Sequence, residues 1–122
     1  MQCPKCDGDM EMVHNAEVRI DRCNQCNGLY FDQLTRGDIG YVEGQVGLDT
    51  GDEETGAEYN EMVYVECPKC DKIMDQRLVD EPVRIRFEIC TSCHSTFLDA
   101  GEFRQYLSGE YRDYFISELP EG

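Results

Sequence analysis

Cys3-Pro4-Lys5-Cys6 occurs again as Cys67-Pro68-Lys69-Cys70, and this repeated stretch decides the fold. Each copy is followed by a second cysteine pair, Cys23-x-x-Cys26 after 16 residues and Cys90-x-x-Cys93 after 19. Two such tight turns supply the four sulfur ligands that Zn²⁺ takes in a closed tetrahedral site. We therefore predict two zinc ions per chain. The predicted ligands are Cys3, Cys6, Cys23 and Cys26 at site 1, and Cys67, Cys70, Cys90 and Cys93 at site 2.

Other interpretations of the cysteines are weaker. A glutaredoxin-type redox pair begins a helix, whereas strand-like sequence follows Cys6 and Cys70. A disulfide framework belongs to exported proteins, and Met1-Gln2-Cys3 leaves no room for an apolar signal. Four thiolates also suit iron, which the spacing does not distinguish from zinc. A cross-brace between the first pairs of the two halves would have to close a long charged loop, which favours local pairing within each half.

The chain length suits two very small units joined by a linker. The predicted fold class is small, metal-stabilised and β-rich, with two tandem zinc ribbons and a C-terminal helix. Units of this size bury too little apolar surface to fold without metal or disulfides. The predicted boundaries are ribbon 1 at residues 1–39, an acidic Gly-rich linker at 40–60, ribbon 2 at 61–103 and an amphipathic aromatic helix at 104–122. No apolar run is long enough to span a membrane, so we expect a cytoplasmic protein.

The net charge of −15 argues against phosphate-binding partners. Residues 40–66 carry eight acidic side chains and no lysine or arginine. Nucleic-acid affinity depends chiefly on lysine and arginine neutralising phosphates, so this field repels DNA and RNA. The low hydrophobicity of the linker, residues 40–60, predicts flexibility. Its Asp49-x-x-Asp52-Glu53-Glu54 run lacks the EF-hand pattern, and we expect no calcium site there.

Alternating apolar and polar residues predict a β-hairpin in each half. The first hairpin joins residues 10–14 to residues 17–22, and the second joins residues 73–79 to residues 83–89. A strand is also expected over residues 61–66. His14 and His94 lie near the cysteines, but four sulfur atoms already complete each site, so both are expected outside the metal shell. Arg84 and Arg86 are expected to form solvated ion pairs.

The aromatic C-terminal tail follows a predicted helix start. Asp99 is expected to cap a helix that begins at Ala100, with Glu102 in its first turn. The simplest role of the tail is to pack on the ribbons. The alternative is a docking face for a partner or a second copy of the chain. The residues of that face would be Phe103, Tyr106, Tyr111, Tyr114 and Phe115.

The two halves resemble the TFIIB-type zinc-finger family of small zinc ribbons. The first copy carries the family pattern at Cys3-Pro4-x-Cys6 and Cys23-x-x-Cys26-x-Gly28-x-Tyr30-Phe31-Asp32. The second carries it at Cys67-Pro68-x-Cys70 and Cys90-x-x-Cys93, and follows it closely over residues 97–103. Ser95 stands where the family has glycine. The resemblance implies a zinc ribbon, and the second copy is expected to be the closer match.

Three functions are compatible with this sequence. The favoured one is a non-catalytic adaptor or regulator that binds a protein, including a basic partner or part of the transcription or translation machinery. The first alternative is a nucleic-acid-binding regulator, which the family resemblance implies and the charge disfavours. The second is a sensor whose thiolates lose zinc on oxidation. No enzyme activity is expected, because both metals would be fully coordinated and the sequence shows no Ser/His/Asp grouping.

Overall fold

The computed structural model describes residues 2–45, 47–51, 53–59 and 64–121. Within them, six short strands form one antiparallel sheet with helices packed on one face. The strands are β1 (Met10–Asn15), β2 (Arg19–Cys23), β3 (Leu29–Phe31), β4 (Asp75–Val79), β5 (Ile85–Ile89) and β6 (Thr96–Leu98). The helices are α1 (Ile39–Val42), α2 (Glu53–Tyr59), α3 (Glu102–Tyr106) and α4 (Tyr111–Ser117), with a 3-10 turn at Arg36–Asp38.

The predicted small β-rich fold with two ribbons is confirmed. Each ribbon is a three-stranded antiparallel unit, β1-β2-β3 in the first half and β4-β5-β6 in the second. The expected hairpin arms are present in both halves. The strand expected over residues 61–66 lies largely outside the described residues; Glu66 forms a single bridge with Ile73. Among the described residues, no helix is long and apolar enough to cross a membrane.

The two ribbons share one sheet through antiparallel pairing of β3 with β6, in the order β1-β2-β3-β6-β5-β4. Tyr30 lies directly opposite Phe97, and these two residues occupy the same position in the repeat. Antiparallel pairing of equivalent strands about equivalent residues relates the ribbons by an approximate two-fold axis. Each ribbon thereby covers the strand edge that the other would expose to solvent.

The two faces of the sheet carry different cores. One face presents apolar residues, including Leu98, to the helices; on this face Phe31 contacts Phe103 and Phe87 contacts Phe115. The opposite face holds Tyr30 and Phe97 among the cysteines of both halves. Because side chains alternate along a strand, the same short strands serve both cores. The fold therefore separates a helix-covered face from a metal-binding face.

The aromatic tail forms two short helices, α3 and α4, on either side of Ser108-Gly109. Phe103, Tyr106 and Phe115 are buried in the core of their own chain. These are three of the five rings expected at a docking face, so the tail is mainly core. Tyr114 remains 40% exposed and Tyr111 is partly buried.

The expectation that Asp99 caps the helix is wrong. α3 begins at Glu102 after Gly101, whose φ of 84° places it in the left-handed region. The carboxylate of Asp49 instead accepts hydrogen bonds from the N–H groups of Gly101 (2.9 Å) and Arg104 (3.1 Å). A residue from the acidic middle segment thus performs the capping role that the sequence assigned to a neighbour.

Part of the acidic middle segment packs against the second ribbon. Leu48, Asp49 and Gly51 are buried, although the composition of residues 40–60 predicts flexibility. A Cβ atom on Gly51 would lie 2.4 Å from the Cβ of Ala100. The segment comes this close because it presents glycine backbone to the turn after β6. Low hydrophobicity therefore did not prevent ordering here.

The joint between the ribbons predicts opposite effects for two Gly→Ala changes. A Cβ on Gly28 would lie 2.4 Å from Cζ of the fully buried Phe97, whereas nothing lies within 4 Å of a Cβ on Gly40. Gly28→Ala should lower the free energy of unfolding by about 1–3 kcal/mol through overpacking. Gly40→Ala, on the exposed side of α1, should raise it by up to about 1 kcal/mol. Denaturant titration of both zinc-loaded variants measures this, and an unchanged Gly28→Ala protein would contradict the β3–β6 joint.

Candidate metal centres

Four short turns position the cysteines, and all four have the same backbone geometry. In each turn the carbonyl of the first cysteine accepts a hydrogen bond from the N–H group four residues later, at 2.8–3.1 Å. Its N–H donates to the carbonyl five residues later, at 2.8–3.0 Å. The residue after the second cysteine is left-handed in every turn, with φ of 60–62° at Asp7, Asn27, Asp71 and His94. Aspartate, asparagine and histidine tolerate this conformation best among residues other than glycine.

The turns bring the sulfur atoms of each half together. The two groups are Cys3, Cys6, Cys23 and Cys26, and Cys67, Cys70, Cys90 and Cys93; within each, the ligand atoms lie within 4.8 Å of one another. This is the local pairing, not the cross-brace. The described residues include no histidine in either group: His94 is exposed, and His14 lies 2.5 Å from the Tyr41 hydroxyl.

The sulfur separations suit a tetrahedral ion. They are 3.7 Å for Cys3–Cys26 and 3.4 Å for Cys6–Cys23 in the first group. In the second group they are 3.7 Å for Cys67–Cys93 and 3.2 Å for Cys70–Cys90. Four sulfur atoms bound to zinc at 2.3 Å lie about 3.8 Å apart. Each group can therefore hold one zinc ion after a slight outward movement of the thiols.

Hydrogen bonding in the turns favours thiolate at the first cysteine of each group. A hydrogen bond from Cys26, with help from the N–H groups of Lys5 and Cys6, lowers the pKa of Cys3 to about 5 against the opposing effect of burial. Burial acts to raise the pKa of Cys67, but the Ser95 hydroxyl and backbone N–H groups outweigh it and lower that pKa to about 6. Zinc binds the thiolate, so these turns prepare their first ligand for metal.

Ser95 is a feature of the second site that the motif did not predict. Its Oγ lies 3.3 Å from Cys67 Sγ and 3.1 Å from Cys93 Sγ. The equivalent position in the first half is Gly28, which instead makes room for the Phe97 ring. Serine at this position, where the first ribbon has glycine, thus adds a hydroxyl that contacts two sulfur ligands. Such contacts orient ligands and adjust their affinity for the metal.

The two lysines of the repeated motif reach across to the other ribbon. Lys5 Nζ lies 2.6 Å from Asp99 Oδ2 and 2.8 Å from Glu88 Oε1, and all three side chains are almost completely buried. Lys69 Nζ lies 3.0 Å from Asp32, the equivalent of Asp99, but both of these side chains are partly exposed. Each ribbon therefore uses the lysine between its metal ligands to hold the aspartate that follows the third strand of the other ribbon, β6 or β3. One sequence signal pointed to these two residues, because the motif lysine and the aspartate after the third strand each recur in both halves.

The buried cluster around Lys5 contains more acids than bases. Burial raises the pKa of Glu88 to about 7 despite the opposing charge of Lys5, and burial also raises the pKa of Asp99. Burial raises the pKa of Glu102 well above its ordinary value, with repulsion from Asp99 adding to the effect. Glu102 Oε1 accepts a hydrogen bond from the Asp99 N–H at 2.8 Å, and Oε2 lies 3.0 Å from the Tyr106 hydroxyl. A protonated Glu102 satisfies this arrangement without a further buried charge.

Comparison with known proteins bears on the first half of the chain. Residues 2–35 match a zinc-ribbon family model described as "Transcription factor zinc-finger". That match covers the first ribbon alone, so it does not confirm the second copy as a family member or as the closer match. The second ribbon rests on its own four-cysteine group and matching hairpin. Searches of curated proteins and of solved structures return no significant match.

The two cysteine groups predict two zinc ions per chain and a metal-dependent fold. Elemental analysis of purified protein should give two equivalents of zinc, and Cys67→Ser should reduce this to about one. A chelator should abolish the cooperative unfolding transition, because binding free energy at such sites is folding free energy. Ser92→Ala, an exposed change in the fourth turn, is the control and should keep both ions. Retention of the transition after complete zinc removal would contradict a structural role for the metals.

Glu102 predicts a pH-dependent component of stability. Since its pKa is higher in the folded protein, the folded state binds more protons than the unfolded state once the pH exceeds the ordinary value of 4.5. The free energy of unfolding therefore falls as the pH rises from 4.5 towards the folded pKa, by at most about 1.4 kcal/mol per pH unit. Glu102→Gln should remove this component, so its stability relative to wild type should increase over that range.

Denaturant titrations of both proteins at several pH values, with saturating zinc, measure this difference. Zinc binding releases the same protons in both proteins, so that contribution cancels in the comparison. The exposed Glu110→Gln change is the matched control. A pH-independent difference between Glu102→Gln and wild type would contradict a protonated Glu102.

Proposed function

We propose that this zinc-binding ribbon protein is a non-catalytic, cytoplasmic adaptor that binds a basic segment of another protein. The observation that carries this is a cleft of about 550 Å³ between the two Cys-Pro-Lys-Cys turns. It lies where the approximate two-fold axis brings the ribbons together. Equivalent residues of both halves line it, with Pro4 facing the same space as Pro68 and Asp7 the same space as Asp71.

The chemistry of the cleft suits an extended cationic peptide. Asp7, Asp71 and Glu66 are exposed carboxylates on its walls, and no lysine or arginine lines it among the described residues. Tyr64 and Ile73, which are 78% and 54% exposed, add apolar surface to the same walls. Carboxylates beside an exposed aromatic ring favour arginine and lysine, through ion pairs and cation–π contacts. The net charge of −15 steers such a segment towards the protein.

Two further observations favour an adaptor. Both four-cysteine groups supply the full set of ligands for one ion each, which leaves no open coordination position for a substrate. His14 contacts the Tyr41 hydroxyl and His94 is exposed, and neither belongs to a four-cysteine group among the described residues. The aromatic tail, which the sequence offered as a docking face, is largely buried, so the cleft takes its place as the contact surface.

Binding of labelled peptides tests the proposal. The probes are a fluorescein-labelled 15-residue peptide rich in arginine, lysine and leucine, an acidic peptide of the same length, and a labelled single-stranded DNA. The basic peptide should bind, and Asp7→Asn with Asp71→Asn should weaken it about tenfold or more, because close charge pairs at interfaces are worth more than about 1.4 kcal/mol. Asparagine occupies the equivalent turn position at Asn27, so these changes preserve the turns.

The matched control removes two exposed carboxylates elsewhere, with Glu110→Gln and Asp113→Asn. It should leave peptide affinity within about twofold of wild type. Equal weakening by both double variants would show that the overall negative charge of the protein, and not the cleft, attracts the peptide. That result would overturn the assignment of the cleft as the binding site. Binding of the DNA instead, with a steep salt dependence, would favour a nucleic-acid regulator.

A further inference from the structure

The two metal sites are connected through one buried side chain. Lys5 lies between two ligands of the first site, Cys3 and Cys6. Its ammonium group contacts Glu88, two residues before the site-2 ligand Cys90, and Asp99 at the end of β6. The contact joins residues 94 positions apart and excludes solvent, since the side-chain exposures are 0% for Lys5 and Glu88 and 1% for Asp99.

The contact requires the first turn to be formed. The Cys3–Cys6 turn fixes the backbone on either side of Lys5 through the hydrogen bonds Cys3 N–H to Gly8 O and Asp7 N–H to Cys3 O. Zinc bound at the first site would hold this turn against the Cys23–Cys26 turn. If the turn opens, the buried carboxyl groups of Glu88 and Asp99 in the second ribbon lose their contact with the Lys5 ammonium group, which is unfavourable. The second ribbon is therefore most stable when the first site is closed.

Two other contacts also connect the first ribbon with the second. The hydroxyl of Tyr30, on β3 of the first ribbon, lies 4.0 Å from Sγ of the site-2 ligand Cys67. The Lys5 ammonium group also lies 5.6 Å from the centre of the Phe97 ring on β6. These contacts come from the β3–β6 joint, and so they hold only when both ribbons are folded.

We propose that the two sites take up zinc cooperatively, with Lys5 as the residue that couples them. Closing the first site places the Lys5 ammonium between Glu88 and Asp99, and this strengthens zinc binding at the second site. By linkage, zinc at the second site strengthens binding at the first by the same factor. The equivalent Lys69–Asp32 contact is half exposed, with side-chain exposures of 47% and 39%, and contributes little to the coupling. The protein therefore passes from metal-free to two-zinc with little of the one-zinc species.

Native mass spectrometry of metal-stripped protein titrated with zinc measures the three species directly. Two independent equal sites give at most half of the protein as the one-zinc species, and unequal independent sites give more. Wild type should stay well below half throughout. Lys5→Met should allow the one-zinc species to reach half or more, whereas Lys69→Met, the matched change in the other ribbon, should behave as wild type. A wild-type titration that reaches half would overturn the proposal.

A second experiment tests the coupling if Lys5→Met folds poorly. It uses Asp99→Asn, which removes one charge of the buried contact but leaves Lys5 beside Glu88. Asp32→Asn, the equivalent change in the first ribbon, is the matched control. Site 1 is inactivated by Cys3→Ser with Cys6→Ser, and zinc affinity at site 2 is measured against a competing chelator. In the wild-type background, inactivating site 1 should lower the zinc affinity of site 2 by at least about fivefold. In the Asp99→Asn background the loss should be smaller, and in the Asp32→Asn background unchanged.

Each outcome decides the assignment. A wild-type loss below twofold would show that the sites are independent. The same loss in the wild-type and Asp99→Asn backgrounds would show that coupling runs through the sheet and not through Lys5.

Discussion

The convergence of four sulfur atoms at the end of each hairpin is the constraint on which the structure depends. Each half has too few residues to bury a self-sufficient core, so its strands and turns are held where two cysteine pairs must meet. The shared geometry of the four turns follows from this, because each must aim two sulfur atoms from one short loop. The turns then fix what lies beside them, including the lysine within each repeated motif.

Duplication provides what a single ribbon lacks. Pairing β3 with β6 about Tyr30 and Phe97 turns two three-stranded units into one sheet with a continuous apolar face. The helices cover that face, while both metal groups remain on the other. The aromatic rings of the C-terminal tail therefore serve the joined sheet, which is why the tail is buried in spite of the small size of each ribbon.

Local features could be predicted from sequence and distant ones could not. Hairpins, turns and ligand groups depend on residues within one half, and their spacing is informative. Tyr30 and Phe97 are 67 positions apart, and nothing in either strand indicates its partner. Asp49 lacked a capping signal because the helix that it caps lies far along the chain. Lys5 and Asp99 recur as Lys69 and Asp32, but their recurrence did not show that they pair across the ribbons, and Asp99 was expected to cap a helix instead.

The motif lysine has different surroundings in the two halves, and this difference breaks the approximate symmetry of the ribbons. Lys5 meets Glu88 as well as Asp99, whereas the residue equivalent to Glu88 in the first ribbon is Asp21, which pairs with Arg19. On the Asp99 side, Asp49 of the middle segment also accepts hydrogen bonds from the backbone N–H groups of Gly101 and Arg104 at the start of α3. The approximate two-fold symmetry is thus broken around one lysine. A sequence repeat of identical residues has become one structural contact that is buried and one that stays accessible to solvent.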